Sequence, residues 1–154
     1  MNKLLATLIA GLFATAAFAQ TPEVAKAQAE AQKDIAKAES KELKKDAKAN
    51  EDVAKAEAKA HEKTNKALVK HDKAHAKADE KVVKADPEDK LKAEAKADKK
   101  MAGADAKAEK TIAKADAKLA KEKVEASEDK AVAAAKTAEV KAKAAADVKA
   151  AAAK

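Results

Sequence analysis

Ala104-Asp-Ala-Lys-Ala-Glu-Lys-Thr-Ile-Ala-Lys-Ala-Asp-Ala-Lys-Leu-Ala-Lys-Glu-Lys123 contains alanine, lysine, acid and an occasional single aliphatic residue, and nearly everything from Thr21 to Lys154 varies on it. Alanine has the highest intrinsic helix propensity, with Lys and Glu close behind. These side chains lose little rotamer freedom on a helix. Opposite charges recur at helical spacing: Glu51–Lys55, Glu62–Lys66, Glu80–Lys84 and Glu88–Lys92 four apart, and Glu23–Lys26, Glu30–Lys33, Asp34–Lys37 and Glu42–Lys45 three apart. Each such pair adds roughly 0.2–0.5 kcal/mol to a helix in water. The stretch therefore predicts helix.

One competing pattern exists. Ala54-Lys-Ala-Glu-Ala-Lys-Ala60 alternates strictly, which is the strand template. Ala, Lys, Glu and Asp are all depleted in strands, however. No hairpin turn signal follows Ala19, so the sheet reading is set aside.

Residues 1–19 differ from the rest. Asn2-Lys3 is a short positive segment, Leu4 to Phe13 is apolar, and Ala17-Phe18-Ala19 is a small-x-small cleavage signal. This is the pattern of a secretory signal peptide. The apolar run is shorter than the roughly 20 residues of a membrane-spanning helix. Cleavage after Ala19 predicts a soluble mature chain starting at Gln20, periplasmic or secreted. Both aromatic residues, Phe13 and Phe18, leave with the leader, and no Cys occurs anywhere. Every basic residue is Lys; losing Lys3 takes 34 lysines to 33 against 27 acids, a net charge of +6.

Large aliphatics are sparse in the mature chain. Val24, Ile35, Val53 and Val82 follow one another at intervals of 11, 18 and 29, and Val83, Met101, Ile112 and Leu119 at intervals of 18, 11 and 7. These intervals are near whole numbers of helical turns, so each half carries a thin apolar stripe. It is far sparser than a heptad seam. After Leu119 the spacing becomes 8 between Val124, Val132, Val140 and Val148, and the stripe drifts around the helix. So little aliphatic surface predicts no globular core, and places the composition near that of disordered chains, opposed by helix propensity.

Thr21-Pro22-Glu23 reads as N-cap, first-turn proline and acid, and Asp86-Pro87-Glu88-Asp89 repeats the signature. The expectation is all-α and elongated: a leader over 1–19, a helical segment over 20–86 and a second over 87–154. The helices should run from about Pro22 to Ala85 and from about Pro87 to Ala152, with Asp86 capping the second. Their near-equal lengths permit an antiparallel hairpin, but no loop residue supports a tight reversal, so a kink near Pro87 is expected. Gly103 and Ser127 are secondary weak points. Ala-Lys-Ala-Asp recurs from Ala76, Ala95 and Ala113, and reads as low-complexity drift.

Chemistry is nearly absent. No Gly-rich phosphate loop occurs, and Ser40, Thr64 and Ser127 lie among charges outside any triad-like context. No catalytic, cofactor-binding or metal residue is assigned, and no enzymatic activity is expected. His61, His71 and His75 are the only imidazoles. His71 and His75 share a helix face and could chelate Zn²⁺, Ni²⁺ or Cu²⁺. Without a third carboxylate in register, and beside Lys70 and Lys73, the pair reads as solvent-exposed. The lysines do not make a nucleic-acid surface: acids are interspersed, Arg is missing for bidentate base contacts, and aromatics are missing for stacking. No specific partner is legible. Weak attraction to anionic envelope surfaces and weak self-association are the contacts such a surface allows.

The long Ala/Lys/acid stretches, such as Ala54 to Ala60 and Ala113 to Lys123, resemble the central periplasm-spanning helical region of the TolA family of envelope proteins. The resemblance covers most of residues 22–154 and is compositional. TolA proteins carry an uncleaved anchor and a folded C-terminal domain, neither of which is legible here, so the resemblance implies only a spacer-like helical rod. The composition also resembles late-embryogenesis-abundant and related hydrophilic stress proteins. Small exported acid-shock proteins are a third resemblance, with fewer acids and more His. The expected function is a non-enzymatic structural spacer of the envelope. The alternative is a hydrophilic stress protectant.

Overall fold

The computed structural model describes residues 21–153. The leader and its cleavage site lie outside the described residues. Two α-helices account for almost all of the rest: α1, Pro22–Val83, of 62 residues, and α2, Lys90–Ala152, of 63. No strand occurs among the described residues.

The start of α1 is built as its sequence signature implies. The Thr21 carbonyl accepts the first helical bonds, from Val24 N–H at 3.0 Å and Ala25 N–H at 3.2 Å, and Val24 N–H also reaches Thr21 Oγ1 at 3.4 Å. Pro22 occupies the first helical position, where its missing N–H costs nothing. Gly103 and Ser127 leave α2 unbroken.

The chain also breaks at Pro87, but differently from expectation. Val83 ends α1, and Asp86-Pro87-Glu88-Asp89 forms a turn closed by Asp89 N–H on the Asp86 carbonyl at 2.9 Å. Pro87 holds the second turn position, for which its fixed φ is suited. Asp89, rather than Asp86, then starts α2, its carbonyl accepting Ala93 N–H at 2.9 Å. The chain reverses here, where the sequence alone favoured a kink. A proline turn followed by a restarted helix is sufficient for reversal without glycine.

Two compact units divide the described residues: one up to Lys48 together with the stretch from Glu128 onward, and Ala49–Ser127. In the first, Ala31, Ile35 and Ala144 form a buried cluster with Val148 packed against it. Val24 and Ala133 are also buried. Thr137 Oγ1 donates to the Ala38 carbonyl at 3.4 Å, and Lys141 pairs with Glu39 at 2.8 Å. In the second unit, Ala49, Ala60, Ala67 and Ala78 of α1 and Ala97, Ala108, Ala115 and Ala126 of α2 are buried. Lys123 pairs across the helices with Glu57 at 2.8 Å.

The buried and half-buried positions obey one rule on both helices. On α1 they include Ala31, Ile35, Ala38, Glu42, Asp46 and Ala49; on α2, Ala97, Met101, Ala104, Ala108, Ile112 and Ala115. Both series step by 4, 3, 4, 4 and 3, which closes a period of 18, and the steps continue along each helix. That period is five turns at about 3.6 residues each, so the buried line does not drift around the helix. Alanine holds its deepest positions, and small side chains let two helices approach closely.

This seam corrects two expectations. The Ala-Lys-Ala-Asp recurrence is not drift: its third residues, Ala78, Ala97 and Ala115, are 1%, 3% and 2% exposed, the three most buried side chains of the described residues. Nor do the large aliphatics carry the packing. Val24 and Ile35 are buried, Val53, Val82, Met101, Ile112 and Leu119 flank the alanines half-buried, and Leu43, Leu68, Val69, Val83, Leu91, Val124 and Val132 are exposed.

Several charge pairs read along the sequence form as expected: Glu51–Lys55 and Glu80–Lys84, both at 2.5 Å, Glu62–Lys66, and Asp34–Lys37 at 3.6 Å. Lys92 turns instead to Asp89, at 3.3 Å. No helix of the described residues is long and apolar enough to cross a membrane.

Candidate functional site

The repeat of the seam makes three sets of positions equivalent. Glu39, Glu57 and His75 are one set, Lys141, Lys123 and Asp105 a second, and Ile35, Val53 and His71 a third. Two members of the first set make acid–lysine bridges between helices, Glu39–Lys141 and Glu57–Lys123. In the third rung the bridge is His75–Asp105, with nitrogen and oxygen 2.6 Å apart. There the seam's aliphatic residue is also replaced, by His71.

All three residues belong to the Ala49–Ser127 unit and are half-buried. His71 and His75 lie one turn apart on α1, their ring centroids 4.2 Å apart with a 31° tilt. Asp105 reaches them from α2. Its Oδ1 lies 2.9 Å from His71 Nε2 and 2.6 Å from His75 Nε2. The other nitrogen of His71, Nδ1, is 2.8 Å from Asp72 Oδ1.

A carboxylate only accepts, so an imidazole with carboxylates against both nitrogens must donate from both. Both contacts therefore favour the charged form of His71. The hydrogen bond to Asp72 and, after it, that to Asp105 raise its pKa above the ordinary 6.5, against the opposing effect of burial. The hydrogen bond from His75, with support from His71, holds the Asp105 carboxyl below its ordinary value.

The same atoms form a donor set. His71, His75 and Asp105 can each offer one ligand atom, and these atoms all lie within 4.8 Å of one another. Sequence reasoning found the histidine pair and judged it to lack a third ligand. The structure supplies that ligand from the facing helix, through the reversal at Pro87. The signal that could have found it is the register itself, since Asp105 holds the repeat position where a lysine stands elsewhere. His61 is exposed and stands apart from the cluster, and Lys70 and Lys73 are exposed.

Elsewhere the unit brings Lys81 of α1 close to Lys100 of α2, and Lys81, first by hydrogen bonding and then by charge, pushes the Lys100 pKa down. Both lysines are exposed. Ser40, Thr64 and Ser127 make no triad-like cluster among the described residues. Compared with protein-family models, with curated proteins and with solved structures, the chain matches none.

Proposed function

We propose that this protein is a non-enzymatic spacer of the cell envelope, exported and processed after Ala19, whose helices are ordered before they meet any partner. The observation that carries this reading is the alanine line of period 18 on α1 and α2. A helix that is polar all round is either solvent-bridging or not stably formed. A narrow apolar line that stays on one side gives each helix a surface to bury, so order does not wait for drying or for a ligand. Away from that line the described residues are mostly solvated charge with scattered exposed aliphatics, which suits a spacer. The resemblance to the helical region of TolA proteins points the same way.

The test is far-UV circular dichroism of the mature chain in dilute buffer, with the intact mass of protein recovered from the periplasmic fraction. A spacer is mostly helical without additives and has a mass beginning at Gln20. Helix that forms only on drying or in trifluoroethanol assigns the chain to the stress-protectant class. A form retaining residues 1–19 in the membrane fraction rejects the processing step.

A further inference from the structure

We propose that His71, His75 and Asp105 bind one divalent transition-metal ion that ties α1 to α2 close to the reversal. The proposal stands on the geometry of the Ala49–Ser127 unit and holds whether the chain is a spacer or a protectant.

Three observations carry it. The first is the donor set: two imidazoles one turn apart and a carboxylate from the facing helix, with ligand atoms all within 4.8 Å. Imidazole with carboxylate suits zinc and its neighbours in the first transition series, and three protein ligands leave a coordination position for water. The second is the distance already reached. Ligands bound to zinc at about 2.0–2.1 Å in a tetrahedron stand roughly 3.3 Å apart. Asp105 Oδ1 is 2.9 Å from one Nε2 and 2.6 Å from the other. Both carboxylate–imidazole separations would have to widen by less than about 1 Å to reach that spacing, and the third separation is bounded at 4.8 Å. The third is support from behind. Asp72 Oδ1 accepts from His71 Nδ1 at 2.8 Å, which fixes the ring and leaves Nε2 for the metal.

The register adds a reason to separate this rung from the others. Packing alone would be met by the aliphatic–glutamate–lysine combination that Val53, Glu57 and Lys123 supply. At the third rung all three residue types change together, and the replacements meet at one point. When the metal enters, His71 releases its Nε2 proton to solvent and keeps the one on Nδ1, His75 coordinates as the tautomer with its proton on Nδ1, and the two Nε2 lone pairs bind the ion. The carboxylate of Asp105 exchanges two hydrogen bonds for one metal bond.

The probe is Zn²⁺ added to the full-length chain after chelator treatment and desalting. The chain has only three histidines, so its imidazole resonances report the site directly. One zinc per chain is expected by calorimetry, with the His71 and His75 signals shifting together and His61 unmoved. Zinc raises the melting temperature, because it binds the folded arrangement. Asp105→Asn and His75→Ala each weaken zinc binding by at least about tenfold, and Asp72→Asn by about tenfold. Circular dichroism of each variant reports whether the helices are retained, and the imidazole shifts of the unmodified chain decide the question if a variant fails to fold. Zinc affinity in Asp105→Asn within twofold of the parent would overturn the proposal, leaving a two-histidine contact on one helix. So would a shift of all three histidines together, or no shift of His71 and His75 up to millimolar zinc.

Discussion

Replacing Ala78 with Leu tests the alanine seam at its tightest point. Ala78 is 1% exposed and lines a groove with Ala93 and Ala97 of the facing helix. Two effects oppose each other. Burying a leucine in available space would stabilise by about 1.5–3 kcal/mol. Forcing extra methylenes into a filled contact costs about 1–3 kcal/mol in displaced backbone and side chains. With the alanine already almost inaccessible and helices held at alanine contact distance, the second effect should dominate. It also removes neighbouring alanines from contact as the helices part. The control is Ala76→Leu, two positions away and exposed, where the change should stay within about 0.5 kcal/mol. Thermal melting of the Ala78→Leu variant should fall by several degrees, at about 3–5 °C per kcal/mol for a chain of this size. The melts should be run at two protein concentrations to detect association. An Ala78→Leu chain as stable as the parent, or as stable as the Ala76→Leu control, would refute the claim that alanine contact sets the helix spacing.

Gly103→Ala should stabilise by about 1 kcal/mol from helix propensity, because φ at Gly103 is not positive and an added Cβ meets nothing within 4 Å; urea midpoints measure this. Asp46 Oδ1 is buried without a hydrogen-bond partner, so Asp46→Ala should raise stability by about 1–3 kcal/mol, and a loss in the same urea series would contradict that reading. Pro87→Ala should leave helix content unchanged and lower stability by about 0.4–1 kcal/mol through a freer unfolded chain. A gain in helicity with a doubled mass by light scattering would instead show α1 and α2 fusing. In metal-free protein, His71 has a raised pKa, so its contribution is complete below 6.5 and disappears as pH rises through the higher folded value. Asp105 has a lowered pKa, so its contribution is present above 3.8 and disappears as pH falls through the lower folded value. Melting temperature should therefore be highest between those limits, and Asp105→Asn should bring the His71 titration measured by NMR downward. A His71 midpoint at or below 6.5 in the parent would contradict the double-carboxylate contact.

The sequence determined the helices. Ala, Lys and Glu prefer helix through local backbone and rotamer terms, and Thr21-Pro22 caps α1 through bonds to positions three and four further on. Such effects need no knowledge of the rest of the chain, so the start of α1, the break at Pro87 and the lack of strands among the described residues were all legible. The burial line was present in the sequence too, as the Ala-Lys-Ala-Asp recurrence, but an alanine that packs and an alanine that only favours helix are the same letter. Sparse aliphatics drew attention because they bury more area per residue, yet helices in close contact leave room for alanine instead. Tertiary structure decided what lies opposite what. The turn at Asp86–Asp89 reverses the chain, and only that reversal brings Asp105 to His71 and His75. Propensity is a property of neighbours in sequence, whereas a three-residue donor set drawn from two helices is a property of their register. Here the register is set by which alanines touch.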